Sequence, residues 1–181
     1  MHELRRRSPV LAALVDLFYA DASALGEFEE VASGSLPSPY GELLDHHAHM
    51  TVTVERFHGC PVDVHVLDVH TTKTHYSRKI TLTRQSDGRI VQFGLVRLCL
   101  DFLDPQVRAE IESQTTPLGR VLIKHNVLRE VQLISLWKVA AGNDLAKLFG
   151  CEAGAASYGR TALIYCNGVP AVELLEIVAP V

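Results

Sequence analysis

The sequence is poor in cysteine and contains no closely spaced cysteine pair. Its four cysteines, Cys60, Cys99, Cys151 and Cys166, lie far apart along the chain. Neither the short spacing of a zinc knuckle nor the dense pattern of a disulfide framework is present. We therefore expect the cysteines to be buried thiols in the core.

An excess of positive charge is also missing. The chain has 17 Lys and Arg against 21 Asp and Glu, a net charge of -4, and apart from Arg5-Arg6-Arg7 the basic residues are scattered. Nucleic-acid binding depends on a concentrated basic surface. We therefore expect no nucleic-acid partner.

The apolar stretch near the N-terminus is too short for a membrane span. Residues 10–15 are apolar, and Asp16 follows them at once. A signal sequence or a membrane helix needs a longer run. We expect a cytoplasmic protein with no membrane partner, and a length of 181 residues suits one packed domain over residues 1–181.

Apolar periodicity and turn residues predict a mixed set of elements. Residues 21–42 are rich in Gly, Ser, Pro and Glu and predict a long surface connection that could include a lid. Helices are predicted at 10–19, 105–112, 117–123 and 143–149. Strands are predicted at 50–57, 62–71, 75–84, 90–100, 128–139, 160–166 and 171–178. Short turns between neighbouring strands, including Asn167-Gly168, imply antiparallel pairing. The predicted fold class is α+β, a single domain with an antiparallel sheet flanked by helices.

Two charged residues fall where apolar residues are expected. Side chains alternate between the faces of a strand, so Arg78 shares a face with Ile80 and Leu82, and Glu176 shares one with Leu174. Both charges are therefore predicted to point into the core. A buried charge needs a partner, so this pattern indicates either a salt bridge, most simply of Glu176 with Arg78 or Arg160, or a polar ligand. An inward Arg and Glu favour a small-acid pocket.

Seven of the nine histidines lie between His46 and His75. His47 and His49 share a face if this segment is a strand, and His65 could join them as a metal ligand. No established motif such as HExxH is present. We therefore predict no metal site and expect these histidines at the surface or the core edge.

Four short blocks carry a resemblance to a known family. They are Met50-Thr51, Tyr76-Ser77-Arg78, the segment 116–120 (Thr-Pro-Leu-Gly-Arg), and Gly159-Arg160 with the hairpin 168–176. In this order and spacing the chain resembles the chorismate pyruvate-lyase family, which makes 4-hydroxybenzoate. The resemblance covers about residues 50–180. The start of the 116–120 block also combines a turn with a helix start, whose free N–H groups could face an anion.

The resemblance implies a site lined by Met50, Arg78, Leu118 and Glu176. Arg78 is expected to bind the ring carboxylate through two parallel hydrogen bonds. Glu176 is expected to supply a proton to the departing enolpyruvyl group, so that Glu176 and Arg78 are the catalytic residues. Met50 and Leu118 would form apolar walls.

The leading functional hypothesis is therefore a lyase that converts chorismate to 4-hydroxybenzoate and pyruvate, without a metal or organic cofactor. Its partner would be a small aromatic or cyclohexadiene carboxylate. Two alternatives stay open: a divergent family member that catalyses another elimination or dehydration on a carboxylated substrate, and a small-acid-binding domain without catalysis. The lack of an attached DNA-binding segment is expected to disfavour a regulatory domain, and fold alone does not decide between the three.

Overall fold

The computed structural model describes residues 9–125 and 129–181 and is built around one antiparallel sheet of seven strands. The strand order is β1-β5-β6-β7-β4-β3-β2. The strands are β1 (Gly26–Val31), β2 (Val62–Thr71), β3 (His75–Arg84), β4 (Ile90–Cys99), β5 (Arg129–Ala141), β6 (Ala156–Cys166) and β7 (Val169–Val178). The predicted fold class, a single α+β domain with an antiparallel sheet flanked by helices, is confirmed.

Six α-helices cover the two faces of this sheet in the described ranges. They are α1 (Pro9–Phe18), α2 (Tyr40–Leu44), α3 (Met50–His58), α4 (Pro105–Glu112), α5 (Leu118–Lys124) and α6 (Asn143–Phe149). None of the helices in the described part of the chain is long and apolar enough to cross a membrane.

Helices α1 and α6 pack on one face of the sheet, which we call the α1 face. Leu14 of α1 and Leu145 of α6 share one apolar cluster with Phe93, Leu95 and Ile177 of the sheet. This cluster is completely buried, as expected where an amphipathic helix lies on a half-apolar strand surface.

Helices α2 to α5 cover the opposite face, which we call the pocket face. Ile111 of α4 and Leu122 of α5 pack with Val96 and Leu174. Leu44 of α2 and Val54 of α3 belong to a further cluster on this face. The pocket face thus carries two apolar clusters, and the candidate site lies between them.

The predicted strand at 50–57 is wrong, because this segment is helix α3. Its alternating Val and Thr residues are typical of a strand. The helix nevertheless buries Met50, Thr51 and Val54, which is helical spacing, and ends at Gly59 with a left-handed φ of 67°. Tertiary packing on the pocket face therefore overrides the local preference.

The segment 21–42, predicted as a surface connection, contains a strand. Gly26–Val31 pairs antiparallel with β5 and forms one edge of the sheet. Phe28 and Val31 are three positions apart, so apolar residues do not alternate along this strand, and only Gly26 in it is buried. This short edge strand therefore lacks the pattern that would predict it from the sequence.

Most other predicted elements are confirmed. The helices predicted at 10–19, 105–112, 117–123 and 143–149 correspond to α1, α4, α5 and α6. The remaining predicted strands correspond to β2 to β7, with residue 128 of the predicted strand outside the described residues. Of the four cysteines, Cys166 is buried and the other three are half-buried.

Candidate functional site

A small cavity lies between the pocket face and the first turns of α3 and α5. Its free volume is about 30 Å³, close to the space that one water molecule takes in the liquid. It is lined by apolar and polar side chains of both layers: His49, Met50, Thr51, Ile80, Leu82, Gln92, Val96, Pro117, Leu118, Gly119, Val131, Arg160, Ile164, Leu174 and Glu176.

Three of the four predicted site residues line this cavity. Met50 begins α3 and Leu118 begins α5, so both side chains enter the cavity from the covering layer. Glu176 enters it from β7 in the sheet. The structure therefore brings together residues that are up to 126 positions apart in the chain, from Met50 to Glu176.

Gly119 allows α5 to approach α3 closely at the cavity. A Cβ atom at this position would lie 3.2 Å from the Thr51 Oγ1 and 3.3 Å from the His49 Cβ. Such distances are tighter than ordinary van der Waals contact, so a side chain here would push the two helices apart. Glycine at 119 thus helps to keep the cavity small.

The sheet register places Glu176 in a row of four residues across the pocket face. Glu176 lies opposite Gly94 of β4 on one side and opposite Arg160 of β6 on the other, and Gly94 lies opposite Ile80. Because Gly94 has no side chain, the Ile80 side chain occupies the space above it. A Cβ at Gly94 would lie 3.1 Å from the Ile80 Cγ1.

Glu176 forms a buried salt bridge with Arg160. The Arg160 Nε donates a hydrogen bond of 2.8 Å to the Glu176 Oε2, and Arg160 is completely buried while Glu176 is 8% exposed. Of the two partners that the sequence left open for Glu176, the structure selects Arg160. The charge of Glu176 is therefore compensated inside the protein.

The same arginine holds the loop that precedes α3. The Arg160 Nη1 donates to the His46 carbonyl oxygen and the Nη2 to the Ala48 carbonyl oxygen, each at 2.9 Å. Burial, followed by the positive charge of Arg160, lowers the pKa of the His46 imidazole. Arg160 thus joins the floor of the cavity to residues 46–48 beside its wall.

Arg78 lies one row further along the pocket face. It is opposite Val96, which is itself opposite Leu174, and both of these neighbours line the cavity. Successive rows on one face are two residues apart, about 7 Å. Arg78 is therefore next to the cavity, although its own atoms are not part of the wall.

The guanidinium of Arg78 is completely buried and mostly unpaired. Its Nη1 donates a hydrogen bond of 3.4 Å to the Ile111 carbonyl oxygen, near the end of α4. The Nε and Nη2 have no hydrogen-bond partner within the described part of the chain. The nearby Tyr76 side chain favours the charged form of Arg78 through its charge and as a weak hydrogen-bonding neighbour. Its hydroxyl nevertheless makes no hydrogen bond of ordinary geometry among the described residues.

Burial therefore lowers the pKa of Arg78, and Tyr76 opposes this shift only in part. No carboxylate in the described ranges forms a salt bridge with this arginine. Since Arg160 and Glu176 compensate each other, the buried charges on the pocket face leave one positive charge at Arg78.

Gln92 is a site residue that the sequence analysis missed. It is 2% exposed, lines the cavity, and its Oε1 has no hydrogen-bond partner among residues 9–125 and 129–181. The signal was present, because Gln92 alternates with Gly94 and Val96 on the inward face of β4. A buried amide with an unsatisfied oxygen is uncommon and often indicates a ligand contact.

The histidine-rich segment does not form a strand face. His46, His47 and His49 lie in the loop between α2 and α3, and the His46 Nε2 lies 2.7 Å from the Leu43 carbonyl oxygen. His65 lies on β2, where its Nε2 is 2.9 Å from the Thr83 Oγ1. In the part of the chain that the structure covers, no group of three or more His, Cys, Asp or Glu side chains is arranged to hold a metal ion.

No protein-family model and no curated protein matches this chain. Solved structures do match it. The chain is similar to PhnF from Mycobacterium smegmatis, with a TM-score of 0.54 and 12% identity over 73% of this chain and 64% of PhnF. It is also similar to the effector domain of PhnF, with a TM-score of 0.55 and 12% identity over 73% of this chain and 88% of that domain.

A third match is a GntR-family transcriptional regulator from Enterococcus faecalis, with a TM-score of 0.45 and 12% identity over 64% of this chain and 92% of that one. The chain spans about 64% of the length of full-length PhnF. The match is thus to the effector domain of PhnF rather than to the whole of PhnF.

These matches correct the prediction that the chain is a carbon–oxygen lyase. That prediction is wrong, because the fold matches PhnF and its effector domain rather than a lyase. The catalytic roles of Glu176 and Arg78 depended on that prediction, whereas their binding roles stay predictions. The chain shares its fold with the effector domain of PhnF.

Proposed function

We propose that this chain is a ligand-binding domain for a small carboxylate with one six-membered ring, and that it binds this ligand without transforming it. The ligand is of the aromatic or cyclohexadiene type. The effector domain that the chain resembles supports a binding role, and the buried polar groups of the pocket face indicate the chemistry of the ligand.

The observation that carries this proposal is the unpaired edge of Arg78. The two nitrogens without a partner, Nε and Nη2, lie on the same edge of the guanidinium. This edge presents two parallel N–H groups at the spacing of carboxylate oxygens. An uncompensated buried charge is costly, and a bound carboxylate removes that cost.

Two polar groups further along the pocket face, in two successive rows, suit the other end of the ligand. Gln92 has an unsatisfied carbonyl oxygen at the cavity, and Glu176 presents a carboxylate held by Arg160. Both accept hydrogen bonds, so they suit a hydroxyl group on the ligand. A ring between the rows spans the distance from Arg78 to Glu176, with Met50 and Leu118 against its faces.

Binding of such a ligand requires the cavity to expand. A volume of about 30 Å³ holds a water molecule but not a ring. Helices α3 and α5 form the cover, and they are joined by a salt bridge between Glu55 and Arg120. We therefore expect the ligand to bind an opened arrangement of these two helices. Because only a fraction of the molecules is open at any time, the apparent affinity of the ligand is lower than its affinity for the open form by that fraction.

Calorimetric titration with 4-hydroxybenzoate tests the proposal. We expect saturable binding, and much weaker binding of phenol, which has the ring and hydroxyl but lacks the carboxylate that pairs with Arg78. Incubation with chorismate is expected to release no pyruvate. Equal affinity for phenol and 4-hydroxybenzoate, or pyruvate release by the folded protein, would contradict the proposal.

A further inference from the structure

A second and larger cavity lies at the other end of α3. Its volume is about 350 Å³, which is within the range of small-molecule sites. Its walls are mainly apolar: Leu43, Val54, Phe57, Ile90, Val91, Val178, Ala179, Pro180 and Val181. Phe57 is 43% exposed at this cavity, an unusual position for a large aromatic side chain.

The second cavity shares no lining residue with the first. Met50 and Thr51 at the start of α3 face the first cavity, whereas Val54, Phe57 and His58 face the second. The second cavity is therefore a separate space and not an extension of the carboxylate site proposed above.

Three basic side chains complete the lining of the second cavity: His58, Arg84 and Arg89. Arg84 is paired with Asp87, while the exposed Arg89 has no salt bridge within the described part of the chain. The two arginines and Asp87 together leave one positive charge beside the apolar walls.

The pKa of the His58 imidazole is affected by the same positive charges. Burial, and then the charges of Arg84 and Arg89, lower its pKa, while Asp87 opposes them. The Arg84 Nη1 lies 3.5 Å from the His58 Nδ1. An anionic head group next to His58 would therefore lie close to the positive charges of Arg84 and Arg89.

We propose that this second cavity binds an amphipathic carboxylate, a medium-length hydrocarbon chain with an anionic head. The hydrocarbon lies against Phe57 and Val181, which are 43% and 60% exposed, so that burial of their apolar surface favours binding. The carboxylate lies at the basic side and pairs with Arg89, which forms no salt bridge within the described ranges.

Octanoate is a suitable probe, measured by isothermal titration calorimetry on the full chain. We expect octanoate to bind at a stoichiometry of one, while butyrate, with the head but a short tail, and octan-1-ol, with the tail but no charge, bind at least tenfold more weakly. Saturating 4-hydroxybenzoate is expected to leave octanoate binding unchanged, so the result does not depend on the function of the first cavity.

Variants locate the site. Arg89→Gln is expected to weaken octanoate binding at least fivefold, whereas Arg56→Gln, which removes an exposed arginine of α3 that does not line the cavity, changes it less than twofold. Ala179→Phe fills the cavity and is expected to abolish binding in a protein whose circular dichroism is unchanged.

Three results would overturn the inference. They are equal effects of the Arg89 and Arg56 substitutions, unaltered binding in folded Ala179→Phe, and competition by 4-hydroxybenzoate. If Ala179→Phe does not fold, the comparison between Arg89→Gln and Arg56→Gln decides alone.

Discussion

Two neighbouring residues of β3, Arg78 and Lys79, carry buried or nearly buried positive charges on opposite faces of the sheet. The Lys79 Nζ on the α1 face is 2.9 Å from the Asp144 Oδ2 and 4.5 Å from the centre of the Tyr19 ring. Tyr19 donates a second hydrogen bond to Asp144. Arg78 on the pocket face has only the Ile111 carbonyl oxygen at 3.4 Å.

The difference separates a charge that the protein itself compensates from one that it leaves largely uncompensated. On the α1 face, burial alone would raise the pKa of Asp144, but the hydrogen bonds from Tyr19 and Lys79 outweigh it and lower that pKa. Every member of this group therefore stabilises another. On the pocket face, no carboxylate among the described residues compensates the charge of the Arg78 guanidinium. We propose that a bound ligand supplies this carboxylate.

The largest expected effect is on ligand affinity. Arg78→Met should weaken 4-hydroxybenzoate binding by about thirtyfold to several thousandfold, because loss of a buried charged partner costs about 2–5 kcal/mol. Calorimetric titration measures it. Arg97→Met is the matched control, since Arg97 forms a partly exposed pair with Glu173; it should change affinity less than twofold. Unchanged affinity in Arg78→Met would make Arg78 a structural residue.

The next effect is on stability and compares two glutamates of β7. Glu176→Gln breaks a buried salt bridge and should lower the free energy of unfolding by about 3 kcal/mol, because it leaves Arg160 uncompensated. Glu173→Gln breaks a pair whose side chains are both 33% exposed, and should cost below about 1 kcal/mol. Urea unfolding of both variants measures the difference. Similar values would mean that Arg160 finds other partners.

Replacement of the two cations of β3 tests the comparison directly. Lys79→Met should lower the free energy of unfolding by about 1 kcal/mol, because Asp144 loses a partner in a partly exposed site. Arg78→Met should leave it unchanged or raise it, since a buried uncompensated charge is replaced by an apolar side chain of similar length. Thermal unfolding without ligand compares them. Equal destabilisation by both would remove the distinction between the faces.

The smallest expected effect depends on pH and comes from His46 beside Arg160. Its pKa is lowered in the folded protein, so the unfolded chain takes up a proton that the folded protein resists. Stability should therefore fall as pH falls below about 6.5, the ordinary value for histidine. His46→Gln should reduce this slope in urea unfolding at pH 7.5 and 5.5. His58, whose pKa is also lowered, accounts for a remaining slope; an unchanged slope would exclude His46.

Much of the sheet could be predicted from the sequence because its strands carry strong alternating patterns and short turns. The Asn167-Gly168 turn between β6 and β7 is a local signal that needs no tertiary contact. The segment 50–57 could not be predicted in the same way. Its β-branched residues favour a strand, while the decision for a helix comes from packing against the pocket face and from α5.

The site was partly visible in the sequence. The inward positions of Arg78 and Glu176 follow from the two-residue period of a strand and are confirmed by their burial. The pairing of Glu176 with Arg160 depends on the register between β6 and β7. The hairpin turn alone does not determine this register, because an irregularity of β6 between Ile164 and Tyr165 shifts it. Arg78 lies in the row of Val96 and Leu174, beside the cavity rather than in its wall. This position depends on the register between β3, β4 and β7 and could not be predicted from composition or spacing.

The near closure of the first cavity has a consequence for the rates of binding as well as for affinity. A ligand that must wait for α3 and α5 to separate associates more slowly than the usual 10⁵–10⁷ M⁻¹s⁻¹, and it leaves only when the same helices open again. The closed cover slows entry and exit alike. Under the proposed function, such a domain would average the ligand concentration over the lifetime of the closed state, and so would register a sustained supply of the acid rather than a brief pulse.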